Sequence, residues 1–445
     1  MANCGLSSLD SLVAKLAEDE ARSQRTCCAL ASSQRTVTSF SIQTASNGGV
    51  GDSIPASPPP AHSIPTSAPQ SAHSIPPSAE VCIMGSGNWG SAVAKIVGEN
   101  VQKQSSIFSK RVTMWVFDEQ VADPVTNEQR SLVDVINERH ENVKYLPGIK
   151  LPENVTAERD ARVAAKQADI FVWVLPHQFV PRTVDGLKDV VEPTAISVSL
   201  IKGGLELKNN RLGLCSNTLR DLLGHDVSVL MGANVANEVA EGQFCEATLG
   251  YTKGSESIAI CLRNLLHGDY FYVNIIEDVP GVELCGGLKN VVALGAGFCD
   301  GLGLGGNTKA AIIRIGLHEM KHFIRYFFPD ARDETFLESC GIADLFTTCI
   351  GGRNRKCAEA FACARGVRPW TDIEAEMLNG QKLQGTLTAE EIWPVIMSNH
   401  LCEQLPLLTR ICQIALHGHD VATLTSFVEN SKASDIDARD RALGA

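Results

Sequence analysis

Residues 81–90, Val-Cys-Ile-Met-Gly-Ser-Gly-Asn-Trp-Gly, combine a short apolar run with a glycine-rich turn. The apolar run is typical of a buried strand, and a helix of small residues is predicted to follow from Ser91. In this Gly-x-Gly-x-x-Gly pattern, Gly85 permits a tight turn, Gly87 lets a pyrophosphate approach the backbone, and Gly90 allows close packing of helix on strand. The N-terminus of the helix adds unpaired N–H groups and positive potential. This stretch therefore predicts a dinucleotide-binding α/β fold; a glycine turn without a ligand is the alternative.

The choice between NAD and NADP is predicted by the end of the second apolar run, residues 112–117. Asp118 follows that run, and an acid there typically accepts the ribose hydroxyls and repels a 2′-phosphate. Asp118 lies farther downstream than usual, which a longer connection over residues 99–111 explains. The next basic residue is Arg130, so nothing adjacent is available to bind a 2′-phosphate. The sequence therefore favours NAD.

Bulk composition bounds the possible functions of the chain. It has 445 residues, of which 44% are hydrophobic and 20% charged, so a globular protein with more than one domain is expected. The net charge of −12 argues against a nucleic-acid or anionic-membrane surface. The 15 cysteines are scattered through apolar segments, which favours buried, reduced thiols. No apolar run approaches the roughly 18 residues that span a bilayer; the longest candidate is residues 291–299.

Changes in composition divide the chain into four parts. Residues 1–79 are predicted to be a disordered extension, because the Pro- and Ser-rich segment 51–79 is too polar to fold. Residues 21–50 contain arginines but no acid, which fits either a transit peptide or a disordered tail. Apolar runs alternating with helical patterns over 80–275 predict a Rossmann-type doubly wound α/β domain. Long helical patterns over 276–428 predict an all-α substrate domain, and 429–445 form a tail.

Lys289 lies in the predicted helix that opens the second domain. Cys285, Ala293 and Ala296 share its helix face, so the lysine has small neighbours that leave room for a ligand. Partial burial would lower its pKa toward the range of a general acid. The alternative is a structural lysine at the helix surface.

Two other basic positions are candidates for binding an anionic ligand. Lys202 follows a predicted strand at residues 195–200, at the carboxyl edge where open α/β sheets bind ligands. Gly351-Gly352-Arg353 precedes a helix predicted from about Lys356, and a helix N-terminus beside a guanidinium is a good phosphate site. For Arg353, and more so for Arg355, the alternative is a solvated basic turn.

Together these motifs resemble the eukaryotic cytosolic-type NAD-dependent glycerol-3-phosphate dehydrogenases. The match runs in order from about residue 80 to about residue 420. The motifs that carry it are Gly85-Ser-Gly-Asn-Trp-Gly90, Pro176-His-Gln-Phe179, Ser199-Leu-Ile-Lys202-Gly, Leu230-Met-Gly-Ala-Asn234, Leu288-Lys-Asn290-Val, Ser339-Cys-Gly-Ile-Ala-Asp344 and Gly351-Gly-Arg-Asn-Arg-Lys356. The resemblance implies a Rossmann domain and a helical domain, usually in a homodimer. Residues 1–79 and the tail after Glu429 lie outside it.

The resemblance also implies a role for each matching residue. Lys289 would protonate the carbonyl oxygen of dihydroxyacetone phosphate, giving sn-glycerol 3-phosphate. Substrate and lysine would be oriented by Lys202, Asn290 and Asp344. The substrate phosphate and hydroxyls would be held by Lys202, Thr348, Arg353 and Asn354. NAD would be bound by the glycine turn, Gly85, Ser86, Gly87, Asn88, Trp89 and Gly90, and by Phe117, Phe179, Ala236, Arg353, Lys382 and Gln384.

Three other functions each fit part of the sequence. A related two-domain hydroxyacid dehydrogenase would share the fold and a lysine but would not need the Arg353 turn. A non-catalytic NAD-binding regulatory protein would not need Lys202, Lys289 and Asp344 together. His318-Glu319-x-x-His322 matches a zinc-protease pattern, but a helical wheel puts both histidines opposite the apolar stripe, toward solvent. No metal is therefore expected.

Overall fold

The computed structural model describes residues 76–208, 211–378 and 380–427. In this part of the chain the main sheet has eight strands, in the order β3-β2-β1-β4-β5-β6-β7-β8. All neighbours are parallel except β6 and β7, which are antiparallel. The strands are β1 (Ala79–Met84), β2 (Phe108–Trp115), β3 (Val155–Glu158), β4 (Ile170–Trp173), β5 (Ile196–Ser199), β6 (Val227–Met231), β7 (Cys245–Gly250) and β8 (Phe271–Ile276).

The strand order explains where ligands can bind. Its first six members follow the Rossmann order 3-2-1-4-5-6, whose direction reverses between β1 and β4. Ligands of open α/β sheets bind at this switch point, beyond the carboxyl ends of the strands. Apolar side chains on both faces of the sheet form two buried clusters, as expected for strands covered on both sides. The predicted doubly wound domain is confirmed.

Helices connect the strands and then make up the rest of the described chain. Those that accompany the sheet are α1 (Asn88–Lys103), α2 (Leu132–Arg139), α3 (Ala161–Ala165), α4 (Val180–Asp185), α5 (Cys215–Leu223), α6 (Ala236–Ala240) and α7 (Glu256–Leu266). Those that follow it are α8 (Val279–Gly301), α9 (Gly306–Phe327), α10 (Asp344–Gly351), α11 (Arg353–Cys363), α12 (Trp370–Leu378), α13 (Gln384–Ser398) and α14 (Pro406–His417). Short strand pairs join Gln120–Ala122 to Gln129–Ser131 and Glu206–Lys208 to Arg211–Gly213.

Helix α8 is the central helix of the second part. It is surrounded by α9, α10, α11 and α13, and residues 281–299 are buried on every side. Glycines make this packing possible: a Cβ on Gly297 would lie 2.2 Å from the Arg355 carbonyl oxygen, and one on Gly316 would lie 2.3 Å from Val292. The helix also corrects an expectation from the sequence. It is long and apolar enough to cross a membrane, although a buried core helix meets the same criteria.

Several boundaries differ from those predicted. β2 ends at Trp115 rather than Phe117, and α11 begins at Arg353 rather than near Lys356. Strands β3, β7 and β8 were not predicted, because their short runs contain polar residues and lack a clear period. The predicted extension 1–79, apart from residues 76–79, and the tail 429–445 lie outside the described residues. The boundary between domains at residues 275–276 stays a prediction.

Candidate active site

The glycine turn after β1 has the geometry that its spacing predicts. Gly85 has φ +129°, and a Cβ there would lie 2.9 Å from the Val174 carbonyl oxygen. A Cβ on Gly90 would lie 2.3 Å from the Gly85 carbonyl oxygen, so the third glycine is also required by packing. Gly87, the N-cap of α1, has open space where its side chain would be. The turn therefore leaves a free concavity at a helix N-terminus, which suits a pyrophosphate.

Two asparagine side chains hold this turn in shape: Asn142, which the sequence did not predict, and Asn88, which it predicted only as a contact of the cofactor. Asn142 is buried and donates to the Ser86 carbonyl oxygen over 2.8 Å and to Ser91 Oγ over 2.9 Å. Asn88 Nδ2 donates to the Tyr145 carbonyl oxygen over 2.6 Å. All three hydrogen bonds join residues more than 50 positions apart, so no local pattern could have revealed them. The ring of Trp89 packs inward, its centroid 6.1 Å from that of Phe271.

Exposed aromatic rings lie at the carboxyl ends of the strands beside the turn. Phe117 follows β2 and is 74% exposed, and Phe179 follows β4 and is 53% exposed. Ala236 is the first residue of α6, beyond β6. Exposed rings at the switch point offer surface for the flat rings of a dinucleotide. Asp118 is already engaged by the protein, because its Oδ1 accepts from Ser131 Oγ over 2.7 Å.

A buried cluster of charges joins α8 to α10. Lys289 is only 4% exposed, and its Nζ donates to Asp344 Oδ1 and, over 2.8 Å, to Thr348 Oγ1. Lys202 Nζ donates to the other oxygen, Asp344 Oδ2, over 3.2 Å. Asp344 is the first residue of α10, so Thr348, one turn later, lies on the same helix face. Two of the predicted catalytic residues, Lys202 and Lys289, thus share the carboxylate of a third, Asp344.

Burial decides the electrostatics of this cluster. The pKa of the Lys289 ammonium group is lowered to about 7, because removal from water and the nearby charge of Lys202 outweigh the opposite effect of Asp344. A lysine with a pKa near neutrality exchanges its proton readily, as a general acid must. Lys289 is thus more completely buried than the sequence predicted, and the alternative of a lysine at the helix surface is wrong.

Asn290 and Asn354 connect the cluster to the next helices. Asn354 Nδ2 donates to Asn290 Oδ1 over 2.9 Å, and Asn354 Oδ1 accepts from the Gly385 backbone N–H over 2.8 Å. Both asparagines are buried. This chain of hydrogen bonds links α8, the start of α11 and the start of α13.

The two arginines of the basic turn, Arg353 and Arg355, have different surroundings. Arg353 is exposed at the first position of α11, has no ion pair within the described residues, and donates to Gln381 Oε1 over 3.3 Å. Arg355 instead pairs with Asp300 and, over 2.9 Å, with Glu359. The interpretation of Arg355 as a solvated turn residue is therefore wrong, since it joins α11 to α8. Arg353 keeps its guanidinium available beside an open helix N-terminus.

The segment predicted to close over the cofactor lies between α12 and α13. Lys382 is exposed and pairs with Glu374 over 3.0 Å, and Gln384 is the first residue of α13. The backbone N–H of Leu383 donates to the same glutamate over 3.0 Å. Glu374, which the sequence did not single out, therefore fixes the shape of this segment.

The zinc-protease pattern on α9 has a structural explanation. Glu319 is buried, and its two oxygens accept from the backbone N–H groups of Leu407 and Leu408 over 2.9 and 2.8 Å. It thereby caps the N-terminus of α14. His318 and His322 are half-buried rather than directed fully to solvent as the helical wheel predicted. Across the described residues no group of three or more His, Cys, Asp or Glu is arranged to hold a metal ion.

Comparison with known proteins gives this site a family. Residues 80–257 match the N-terminal domain of the NAD-dependent glycerol-3-phosphate dehydrogenases, and residues 278–426 match their C-terminal domain. The chain belongs to this family. It is 49% identical to the cytoplasmic NAD(+) glycerol-3-phosphate dehydrogenase of Rattus norvegicus over 352 residues, covering 79% of this chain and 97% of the rat protein. The resemblance seen in the motifs is confirmed.

Solved structures of glycerol-3-phosphate dehydrogenases have the same fold. The enzyme of Saccharomyces cerevisiae superposes with a TM-score of 0.71 at 40% identity, covering 79% of this chain and 99% of that one. The Plasmodium falciparum enzyme superposes with a TM-score of 0.74 at 37% identity, covering 80% and 96%. The cofactor of this NAD-dependent family fits the present chain, because the turn at Gly87 is open and the rings of Phe117 and Phe179 are free.

Proposed function

We propose that this chain reduces dihydroxyacetone phosphate to sn-glycerol 3-phosphate with NADH, and catalyses the reverse reaction. The observation that carries the proposal is the buried Lys289–Asp344–Lys202 cluster, which combines a proton donor of lowered pKa with a second cation. A small dianionic ketone needs both properties in one site. Neither a hydroxyacid dehydrogenase nor a regulatory protein accounts as well for this cluster beside the free Arg353.

The protein groups divide the chemistry among them. NADH, when bound, supplies the hydride. Lys289 Nζ donates its proton to the carbonyl oxygen, and Asp344 and Thr348 hold that nitrogen in place. Lys202 balances the charge of Asp344 and attracts the anionic substrate. Burial strengthens the charges of Lys289 and Asp344, because little water screens them, whereas Lys202 is half-buried.

The other end of the substrate would be bound by the start of α11. Arg353 donates two parallel hydrogen bonds to the phosphate, and the backbone N–H groups of the first helical turn add further donors. Asn354 follows Arg353 in the chain and bonds to Asn290, the neighbour of Lys289, and we propose that these two amides bind the substrate hydroxyls. Arg353 also donates to Gln381, which lies beside Lys382 and Gln384 in the chain, and we propose that these three residues, Arg353, Lys382 and Gln384, close over the cofactor.

The decisive experiment is a spectrophotometric assay of the purified full chain with NADH and dihydroxyacetone phosphate. We expect turnover at a rate typical of dehydrogenases, with NADPH a poor substitute. Unphosphorylated dihydroxyacetone serves as the control substrate and should react far more slowly. Absence of turnover with dihydroxyacetone phosphate would reject the proposed function.

The rate of reduction should fall as the pH rises above about 7. Lys289 acts as an acid in this direction, so its neutral form, which prevails above its pKa of about 7, is inactive. The phosphate of the substrate has a second pKa of about 6, so its ionisation is nearly complete before this decline begins. We expect kcat/KM for dihydroxyacetone phosphate to approach a tenfold loss per pH unit, and kcat/KM for glycerol 3-phosphate to rise. Profiles that stay flat from pH 7 to 9 in both directions would contradict the assignment.

We also propose that the chain forms a homodimer. An apolar row, which we define as Leu337, Ile342, Phe346 and Ile350, is exposed along the side of α10 and the turn before it. Exposed apolar rows of this size are typical of contact surfaces, and identical chains associate most often as two-fold dimers. The opposite side of α10 carries Asp344 and Thr348, so the contact would support the active site from behind.

Phe346→Glu should shift the chain from dimer to monomer, because a buried, unpaired carboxylate at the contact is costly. Light scattering after size-exclusion chromatography would measure the molar mass. We expect the dissociation constant of the dimer to rise at least about tenfold. Val367→Glu, at another exposed apolar position outside the row, is the matched control and should leave the mass unchanged. A wild-type chain of monomer mass would contradict the proposal.

For localisation we propose the cytoplasm, because the similar rat enzyme is named cytoplasmic. The alternative is a plastid or another organelle, and it depends on the composition of residues 1–79. Fluorescent fusions of the full chain and of a chain without residues 1–75 separate the two.

A further inference from the structure

We infer that Glu391 is a positioning residue that holds the Lys202 loop in its catalytic place. The inference rests on the proposed function, because Lys202 matters only if the site binds an anionic substrate. Glu391 lies on α13 and touches neither Lys289 nor Asp344 through any hydrogen bond within the described residues. It acts on Lys202 through the backbone two residues later.

One oxygen of Glu391 joins two segments of the α/β domain. Glu391 Oε1 accepts from the Gly204 backbone N–H over 3.1 Å. The same oxygen lies 3.3 Å from His177 Nε2, with the two side chains 16% and 18% exposed. Gly204 follows β5 and His177 follows β4, so a single carboxylate of the helical part binds the ends of two neighbouring strands. Both strand ends border the predicted ligand cleft.

The conformation of the Lys202 loop makes this contact important. Gly203 and Gly204 have φ +84° and +83°, in the left-handed region that other residues rarely adopt. Two consecutive glycines have many accessible conformations, so an outside contact is needed to select one. The hydrogen bond to Glu391 supplies this contact, and Lys202 Nζ then reaches Asp344 Oδ2 over 3.2 Å. Loss of the contact would let the lysine leave the carboxylate.

Burial of the Glu391 carboxyl group costs the folded protein free energy. Its second oxygen, Oε2, is buried without a hydrogen-bond partner among the described residues. Burial also raises the pKa of this carboxyl group. The same carboxylate also faces the imidazole of His177, so it connects the segment after β4 to the loop that carries Lys202. These two contacts together fix the position of the Lys202 loop.

Four variants test the inference: Glu391→Ala, Glu391→Gln, Lys202→Ala and the double variant Glu391→Ala/Lys202→Ala. We expect Glu391→Ala to lower kcat/KM for dihydroxyacetone phosphate about tenfold, with KM for NADH changed less than about twofold. Glu391→Gln retains an oxygen that accepts from Gly204, so it should lose less than about threefold. In the Lys202→Ala background, Glu391→Ala should cost less than about twofold, because the lysine on which it acts is already absent. Glu390→Ala, at the exposed neighbouring position, is the matched control and should keep the wild-type rate.

The outcomes separate the possible explanations. If Glu391→Ala loses tenfold in both backgrounds, its effect does not pass through Lys202 and the inference is overturned. If the wild-type chain is active and Glu391→Ala has the same rate, the inference is also overturned. The proposed function would then stand. A wild-type chain that does not reduce dihydroxyacetone phosphate rejects both. Circular dichroism checks that each variant folds. If Glu391→Ala does not fold, Glu391→Asp, which keeps the charge on a shorter side chain, replaces it in the comparison with Lys202→Ala. Its effect should again be much smaller when Lys202 is already absent.

Discussion

Lys289→Ala should lower turnover at least about 10³-fold while leaving NADH binding nearly unchanged. Two losses combine in this variant. The proton donor disappears, and Asp344 keeps a buried negative charge that only Lys202 balances, next to the carbonyl oxygen that becomes negative during reduction. Lys289 is far from the glycine turn in sequence and has no hydrogen bond to it within the described residues, so the cofactor should bind as before.

Two further measurements make this prediction specific. Lys289→Arg keeps a positive charge but cannot release its proton near neutral pH, so it should also be inactive if proton donation is the role of the lysine. NADH binding, followed by the change in its fluorescence, is the control for a folded cofactor site. A variant that retains more than about a tenth of the wild-type rate would show that Lys289 is structural.

Arg353→Ala should lower kcat/KM for dihydroxyacetone phosphate about 100-fold or more, mainly through a higher KM. Arg353 is exposed, lacks an ion pair within the described residues and lies at the N-terminus of α11, so its loss removes the strongest proposed phosphate contact without disturbing the core. A hydroxyacid dehydrogenase would remain largely active after this change. The prediction therefore tests the identity of the substrate as well as the residue.

A matched control is available two positions later. Arg355 carries the same side chain but is paired with Asp300 and Glu359. Arg355→Ala should therefore lower the unfolding temperature and have little effect on KM for dihydroxyacetone phosphate. The rate with unphosphorylated dihydroxyacetone is the second control, and Arg353→Ala should lower it much less than the rate with dihydroxyacetone phosphate. Equal losses with both substrates would contradict a role for Arg353 in binding phosphate.

Much of the fold was predictable because its signals are local. A buried strand, a glycine turn and a helix of small residues follow one another within residues 81–103, and each imposes its own pattern on neighbouring positions. The strands β3, β7 and β8 were missed because they are short and partly polar, and pairing with neighbours decides their conformation. The role of Glu319 also depends on residues distant in sequence. Its neighbours on α9 suggest a metal motif, whereas its hydrogen-bond partners belong to α14.

The glycine turn, the candidate lysines and arginines, and the family could be read from the sequence alone, because residue type and spacing along the chain carry them. Folding brings Lys289 against Asp344, pairs Arg355 but leaves Arg353 without an ion pair among the described residues, and brings Asn142 to the glycine turn and Glu391 to the Lys202 loop. The physical reason is that pKa values and ion pairs depend on desolvation and on charges brought together by packing. Lys289 and Asp344 are 55 residues apart, and no sequence pattern encodes a distance between atoms that only the folded chain brings into contact.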